Sequence, residues 1–535
     1  MSEKIYNLLD EKWILATDDN GNIQEYSIPE IFEHAHELKA LAGDIPQQDV
    51  VMLRFLLAIM YAVYLRNDEN GNPSKTDDPK EMYGRWKALR DKQKFDIKTI
   101  KKYLESYRDR FYLFHPTRPF YQAPITKGTD YEASKLNGTL SESSNKPRLF
   151  KPTTVKKSLS MEFDEAARWL MYLHAYDDTS SKPTIRGANM PSCGAGWLGK
   201  IGPIYADGRN LFETLMLNLV LVDSEECVFP DGVATWEPEE CHTDERTPIP
   251  TPPSPLEILT LQSRRVLLQR KQDKVTGYKL MGGDIVAKEN AIIEQMTMWR
   301  KTDSGDLVPK RLDPSRFLWR DYPSLLAITD NETEGRKPGI ISWLSALEYR
   351  GIINDSTVSF HCTGISYGDK DFFVDDLIDD NIRFNAKLLN KFNDSWNNRI
   401  AEAIKRTDDC VKIYGSFVAD VAIVSGMDEE AGPKVFQNAR GLAFASLDQP
   451  FRQWLSSITP SGDEESQFNS WNSVLEKKIL SMGQEVAESA GPMAMKGKPA
   501  DPSKPNDPPQ NVFAKYKMFR GKIMKKTRRN EDDQS

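Results

Sequence analysis

The sequence predicts an α+β chain: a large mixed α/β N-terminal globular domain over residues 1–374, then a C-terminal four-helix bundle over residues 375–535. Three observations carry this. Short strand-like runs, tight turns and buried helices alternate up to about residue 374. From about Asp375 apolar residues recur at helical spacing in four successive stripes. Gly426, Gly462 and the segment Pro499 to Pro509 separate those stripes, as the links of a bundle do.

Taken in order, Leu8-Leu9 and Trp13-Ile14-Leu15, then Asp19-Asn20-Gly21-Asn22, then Ile23 to Ile28 make a strand, tight turn and strand. Pro46 to Leu65 is a long buried helix. Its uninterrupted apolar run, Phe55 to Leu65, is too short for a bilayer that needs roughly 20 residues. Ser160 is expected to cap a helix carrying Trp169, Leu170 and Leu173, with Glu162, Asp164 and Glu165 favourable to its dipole. Leu211 to Val222 is another apolar helix. Between Pro230 and Pro255, Pro238, Pro248, Pro250, Pro252 and Pro253 forbid regular structure and predict a long surface connection.

Strand-like pieces follow at Ile285 to Ala287, Thr297 to Trp299 and Thr357 to Thr363, and Ser366 to Phe372 has the turn residues of a hairpin tip. The first bundle stripe runs from Ile400 to Val421. The second holds Val435, Phe436, Ala439, Leu442, Ala443, Phe451, Trp454 and Leu455. The third holds Phe468, Trp471, Val474, Leu475, Ile479 and Val486. Val512, Tyr516, Phe519 and Ile523 form the fourth, tethered by a flexible spacer over residues 498–510.

Composition narrows the function. The 535 residues carry 71 Lys+Arg against 79 Asp+Glu, a net charge of −8, which excludes a uniformly basic nucleic-acid binder. Hydrophobic residues at 39% exclude a wholly disordered chain. Met1 to Ile5 opens without the pattern of a signal peptide. The five cysteines form no CxxC pair, so reduced thiols and a cytoplasmic location without membrane contact are expected. Cys193, Cys227 and Cys241-His242 match no standard zinc spacing. Six scattered histidines and the absence of HExxH, GxSxG or a P-loop leave no catalytic residue, metal or cofactor to expect. Asp375-Asp376 and Asp379-Asp380 suit a solvated helix start better than a metal site.

Three stretches invite a partner. Gly194-Ala195-Gly196-Trp197-Leu198-Gly199 matches the GxGxxG dinucleotide fingerprint, but Gly202-Pro203 follows at once, so no helix is expected to open there. Two readings remain: a glycine loop whose backbone approaches a phosphate-bearing partner, favoured by Lys200 and Arg209, or an internal tight turn. Lys146, Arg148, Lys151, Lys156 and Lys157 interleave with Leu149 and Phe150, suiting either a nucleic-acid backbone or a solvated loop. Lys515, Lys517, Arg520, Lys522, Lys525, Lys526, Arg528 and Arg529 crowd the fourth helix without one acid, a face that calls for a polyanion or an acidic partner.

The chain resembles the CasA family, the large subunit of the type I-E CRISPR Cascade complex. Asn7-Leu8-Leu9-Asp10-Glu11-Lys12-Trp13-Ile14, then Arg110-Phe111-Tyr112-Leu113-Phe114-His115-Pro116 leading to Pro119-Phe120-Tyr121-Gln122, then the glycine loop with Gly202-Pro203 and Gly208-Arg209-Asn210-Leu211, carry the resemblance. It implies a non-catalytic role in RNA-guided DNA surveillance. Such a subunit recognises the protospacer-adjacent motif in duplex DNA, helps open the duplex for R-loop formation and recruits a trans-acting helicase-nuclease. Its expected partners are duplex target DNA, the crRNA-containing Cascade subunits and that nuclease.

By the same resemblance Gly194 and Gly196 reach the minor groove, Lys200 lies beside them, and Lys288 is the lysine finger. The wedge falls on Gly368-Asp369-Lys370-Asp371, where the family's Gln is missing. Lys515, Lys522 and Lys525 are expected to meet DNA. Asn145, Leu149, Phe150 and Lys151 make the loop toward the crRNA 5′ end and a neighbouring subunit. Two other classes compete: a structural interaction subunit of a ribonucleoprotein without direct DNA readout, and a nucleotide-dependent enzyme using GxGxxG.

Overall fold

The most apolar stretch of the sequence becomes the helix Pro46–Tyr64, buried on nearly every side from Val50 to Tyr64. The structure, a computed structural model, describes residues 5–137, 160–179, 194–328, 335–354, 356–499 and 509–528. Two compact units divide the chain. One holds residues 1–316, 324–354 and 359–381, the other residues 317–323, 355–358 and 382–535. Mixed helices and strands before a C-terminal group of long helices give the α+β class expected from sequence.

In the first unit, Ile14–Thr17 pairs antiparallel with Ile23–Tyr26 as the expected hairpin. Trp13, Phe55 and Phe120 form an aromatic core with mutual ring distances of 5.8 to 6.1 Å. Several boundaries differ from the sequence reading, each for a tertiary reason. The helix expected from Ser160 is Phe163–Tyr176 with Glu162 at its cap, because Met161 is still paired as an isolated bridge with Val275. The helix expected to reach Val222 stops at Asn218. That side chain turns back to bond Ala206 on both its N–H and its carbonyl (2.9 and 2.7 Å). The proline-rich stretch is not free of regular structure: Arg246–Ile249 pairs in parallel with Asp284–Val286, and Ser254 opens Pro255–Leu259 with a capping box.

The strand expected at Thr357 to Thr363 runs on to Tyr367, and Asp369–Asp371 turns it into Val374–Asn385. The residues 375–380 are therefore strand, not a helix start; Ile378, Ile382 and Phe384 are buried in it while the aspartates lie outward. These two strands and Ile204–Asp207 form one antiparallel sheet. Gln47, buried at the start of the long helix, donates to Gly364 O and Ile378 O at 3.0 Å each and so fixes the hairpin to it.

In the second unit the four stripes are the helices Asp394–Val424, Gly432–Ser457, Glu464–Glu488 and Val512–Thr527, the first packing against the other three. Trp319, Phe451, Trp454 and Trp471 stack at its centre, with Trp319 and Phe451 4.1 Å apart. Trp471 donates its indole N–H to Thr407 Oγ1 at 3.0 Å. Leu442 and Val474, expected inside, are 67% and 41% exposed. Lys498–Pro499 and Pro509–Gln510 pair antiparallel, so the two ends of the expected spacer are joined. Among the described residues no helix is long and apolar enough to cross a membrane.

Candidate nucleic-acid interface

The glycine loop is built from the end of the Phe163–Tyr176 helix. Arg264, first residue of the strand Arg264–Lys271, is fully buried. Its guanidinium pairs with Asp177 and donates to Asp178 O (2.8 Å), Ser263 O (2.9 Å) and Gly194 O (2.7 Å). One cation thus fastens the loop's first glycine to the helix end, the kind of multiply bonded geometry that buried arginine requires. Gly194 takes φ +71°, open to glycine without strain. Gly196 is buried, and its N–H is donated to Asp177 O at 2.8 Å. A Cβ there would run into the Ala175 carbonyl, so this glycine serves a close backbone packing inside the protein.

Contrary to the sequence reading, a helix does open at Gly196: the single turn Trp197–Lys200. Its Trp197 donates the indole N–H to Glu294 Oε2 at 2.7 Å, and Glu294 is held bidentate by Arg54 at 2.8 and 2.9 Å. Burial pushes the Glu294 carboxyl up, but Arg54 and the Trp197 bond outweigh it and hold it below the usual range.

The hairpin tip joins the same segment. Lys370 and Asp371 both take left-handed φ, 54° and 59°. Gly368 donates to Phe373 O and Asp371 to Gly368 O, each at 2.9 Å, and Asp369 begins the turn. Thr179 then donates its hydroxyl to Lys370 O (2.6 Å) and its N–H to Asp371 O (3.0 Å). Arg311 grips the Asp371 carboxylate bidentate at 3.0 Å twice. Tyr367 donates to Tyr176 O at 2.7 Å, and its hydroxyl lies over Gly199. Residues 176–179 are therefore a common base for the glycine loop and the tip. The two elements singled out from sequence are brought together.

The other expected residues fall as follows. Lys200 lies against Gly194: a Cβ on that glycine would stand 3.3 Å from Lys200 Cε. Lys288 is exposed just beyond the strand Asp284–Val286, with no hydrogen bond or ion pair to the glycine loop among the described residues. On the last helix Lys515 is paired with Asp420 (3.1 Å), while Lys522 and Lys525 are exposed. Lys526 and Arg528 are also taken, by Asp409 and Glu476 at 2.6 Å each. Asn145, Leu149, Phe150 and Lys151 lie outside the described residues.

Sequence reasoning passed over Asp177, Thr179, Arg264, Glu294 and Arg311, which hold the loops in place. The doubled Arg264-Arg265 at the head of an apolar strand was the available signal, since two charges there must find buried partners. One histidine of the hairpin strand is electrostatically notable. His361 lies between Asp379 and Asp207 (3.4 Å); burial disfavours its charge, but the two carboxylates outweigh burial and raise it to about 9.

Fold and site together define a scaffold that presents two loops braced on one base. The profile of the CRISPR-associated protein Cse1 family matches residues 7–482, and the chain belongs to that family. CasA/Cse1 of Thermus thermophilus is 29% identical over 328 residues. That match spans 60% of this chain and 60% of the relative's own length, under two thirds of it. Crystallised Thermobifida fusca Cse1 superposes with a TM-score of 0.81 at 26% identity, covering 98% of both chains. A chain of a CRISPR RNA-guided surveillance complex, 18% identical, shares the fold with a TM-score of 0.70 over 97% of this chain and 99% of its own.

Proposed function

We propose that this chain is the large subunit of an RNA-guided CRISPR surveillance complex in the cytoplasm, without catalytic activity of its own. It recognises the protospacer-adjacent motif in duplex target DNA, promotes duplex opening and R-loop formation, and recruits the helicase-nuclease. The observation that carries this reading is the common base, residues 176–179, under the glycine loop and the hairpin tip. Two loops fixed to one rigid segment keep a constant spacing, which reading a short motif and wedging the adjacent base pair both require. Gly194, Gly196 and Lys200 form one element, Gly368, Asp369 and Lys370 the other, and Lys288 adds a phosphate contact. Lys515, Lys522 and Lys525 guide DNA along the last helix, and Asn145, Leu149, Phe150 and Lys151 meet the crRNA and a neighbouring subunit.

The domain division follows the same reading: residues 1–374 recognise and open the duplex, and residues 375–535 connect to the assembly. The net charge of −8 fits a subunit whose affinity comes from assembly rather than from its own field. The test is a gel shift of motif-bearing duplex with the crRNA complex, with and without this chain. Lys288→Ala with Gly196→Asp is expected to weaken motif-dependent binding and flatten its salt slope by roughly one unit. Unchanged binding by that double variant would refute the site.

A second reading, a structural interaction subunit without DNA readout, is favoured by two observations: Gly196 is buried with its N–H already bonded, and Lys515 is already paired. It predicts pull-down of partner subunits with no effect of this chain on duplex binding.

A further inference from the structure

The proline-rich stretch that sequence reading left as a connection walls a cavity of about 430 Å³ in the first unit. Arg110, Arg118, Tyr121, Val233, Trp236 and Arg246 are among the residues that line it. That size suits a small organic ligand. Arg110 is the residue that calls for one. It is only 8% exposed, yet its guanidinium makes no hydrogen bond and no ion pair with any described residue. The other buried arginines of this unit are all engaged: Arg54 on Glu294, Arg85 on Tyr64 O, Arg168 on Glu25, Arg264 on Asp177, Arg265 on Asp284.

A guanidinium with so little exposure and no protein partner is left to pair with whatever enters the cavity. Burial, and then the nearby Arg118, both disfavour the Arg110 charge, and an anion in the cavity would relieve both. Of the other lining residues, Arg246 shares the Asp284 carboxylate with the buried Arg265. The lining carboxylates are otherwise Glu257, whose oxygen accepts the Ser254 N–H at 3.2 Å, and the exposed Glu240.

We propose that this cavity binds a small phosphate-bearing anion. The Arg110 fork donates to the phosphate oxygens, a match of planar donors to paired acceptors, and Tyr121 and Trp236 bound the organic remainder. The site is separate from the glycine loop and tip, and the proposal stands whether or not the DNA reading holds.

The test is calorimetric titration of the full chain with inorganic phosphate and with adenosine 5′-monophosphate. Binding of at least one is expected, and Arg110→Gln should weaken it roughly tenfold or more. A purely structural Arg110 would shift the unfolding midpoint but leave ligand affinity alone, which would overturn the proposal; so would absence of binding by both probes. Should Arg110→Gln fail to fold, Val233→Trp decides. Val233 is half exposed at the cavity, so the indole should abolish binding and leave the unfolding midpoint unchanged. Wild-type affinity in Val233→Trp would equally overturn the site.

Discussion

The first unit holds its loops with buried ion pairs, and the last bundle helix wears its charges on the surface. Arg264 and Asp177, like Arg54 and Glu294, are ion pairs almost wholly removed from water and extended by further hydrogen bonds. Lys515–Asp420, Lys526–Asp409 and Arg528–Glu476 sit at the bundle surface, with cation side chains 22%, 49% and 60% exposed. Buried pairs barely feel salt and tolerate one geometry, so they specify shape. Surface pairs are cheap to break and screened by salt, which leaves their cations available to another partner. The molecule thus separates charge that positions loops from charge that can be exchanged.

The contrast can be broken most severely at Arg264. Arg264→Met leaves Asp177 buried and uncompensated, and should cost the first unit about 3–5 kcal/mol in urea unfolding. A loss under about 1 kcal/mol would mean that the clamp does not hold the loop. His361 comes next. Its folded pKa of about 9 lies above the unfolded 6.5, so the stability it gives is complete below pH 6.5 and lost as pH rises through 9. That contribution is at most about 3 kcal/mol. His361→Gln should flatten stability against pH between 6.5 and 9.

Asp49 adds a separate window of the same sign. Burial lifts its carboxyl from 3.8 to about 6, so stability falls as pH rises between those values; the His361 charge holds that carboxyl down, so His361→Gln should keep this fall and extend it to higher pH. The smallest effect belongs to the surface. Lys515→Ala and Lys526→Ala should each cost under about 1 kcal/mol at low salt and nearly nothing at 1 M salt. A salt-independent loss would put those lysines in the same class as Arg264.

Legibility followed locality. The opening hairpin, the Pro46–Tyr64 helix and the four bundle stripes were readable because each depends on neighbours within a few residues. The glycine loop and the tip were readable as turns for the same reason. Their bracing was not, because Arg264 meets Asp177 across 87 positions and Thr179 meets Lys370 across 191. Acidic density misled at residues 375–380, where aspartates suit a helix start but the buried Ile378, Ile382 and Phe384 belong to a strand. Ser160 was a sound cap by type, displaced because backbone pairing at Met161 delays the helix. Leu442 and Val474 fit the stripes by spacing yet lie outside the core.

The tip has one more consequence. Its path is set by two consecutive left-handed residues and secured from beneath by Thr179 through main-chain atoms of the tip, with Asp371 held by its side chain. Nothing in that bracing depends on what residue 370 carries. A different amino acid can be installed there while the loop keeps its path, with Asn the easiest by its tolerance of left-handed backbone. The tip therefore behaves as an exchangeable fitting, whose chemistry can be changed while the socket stays the same.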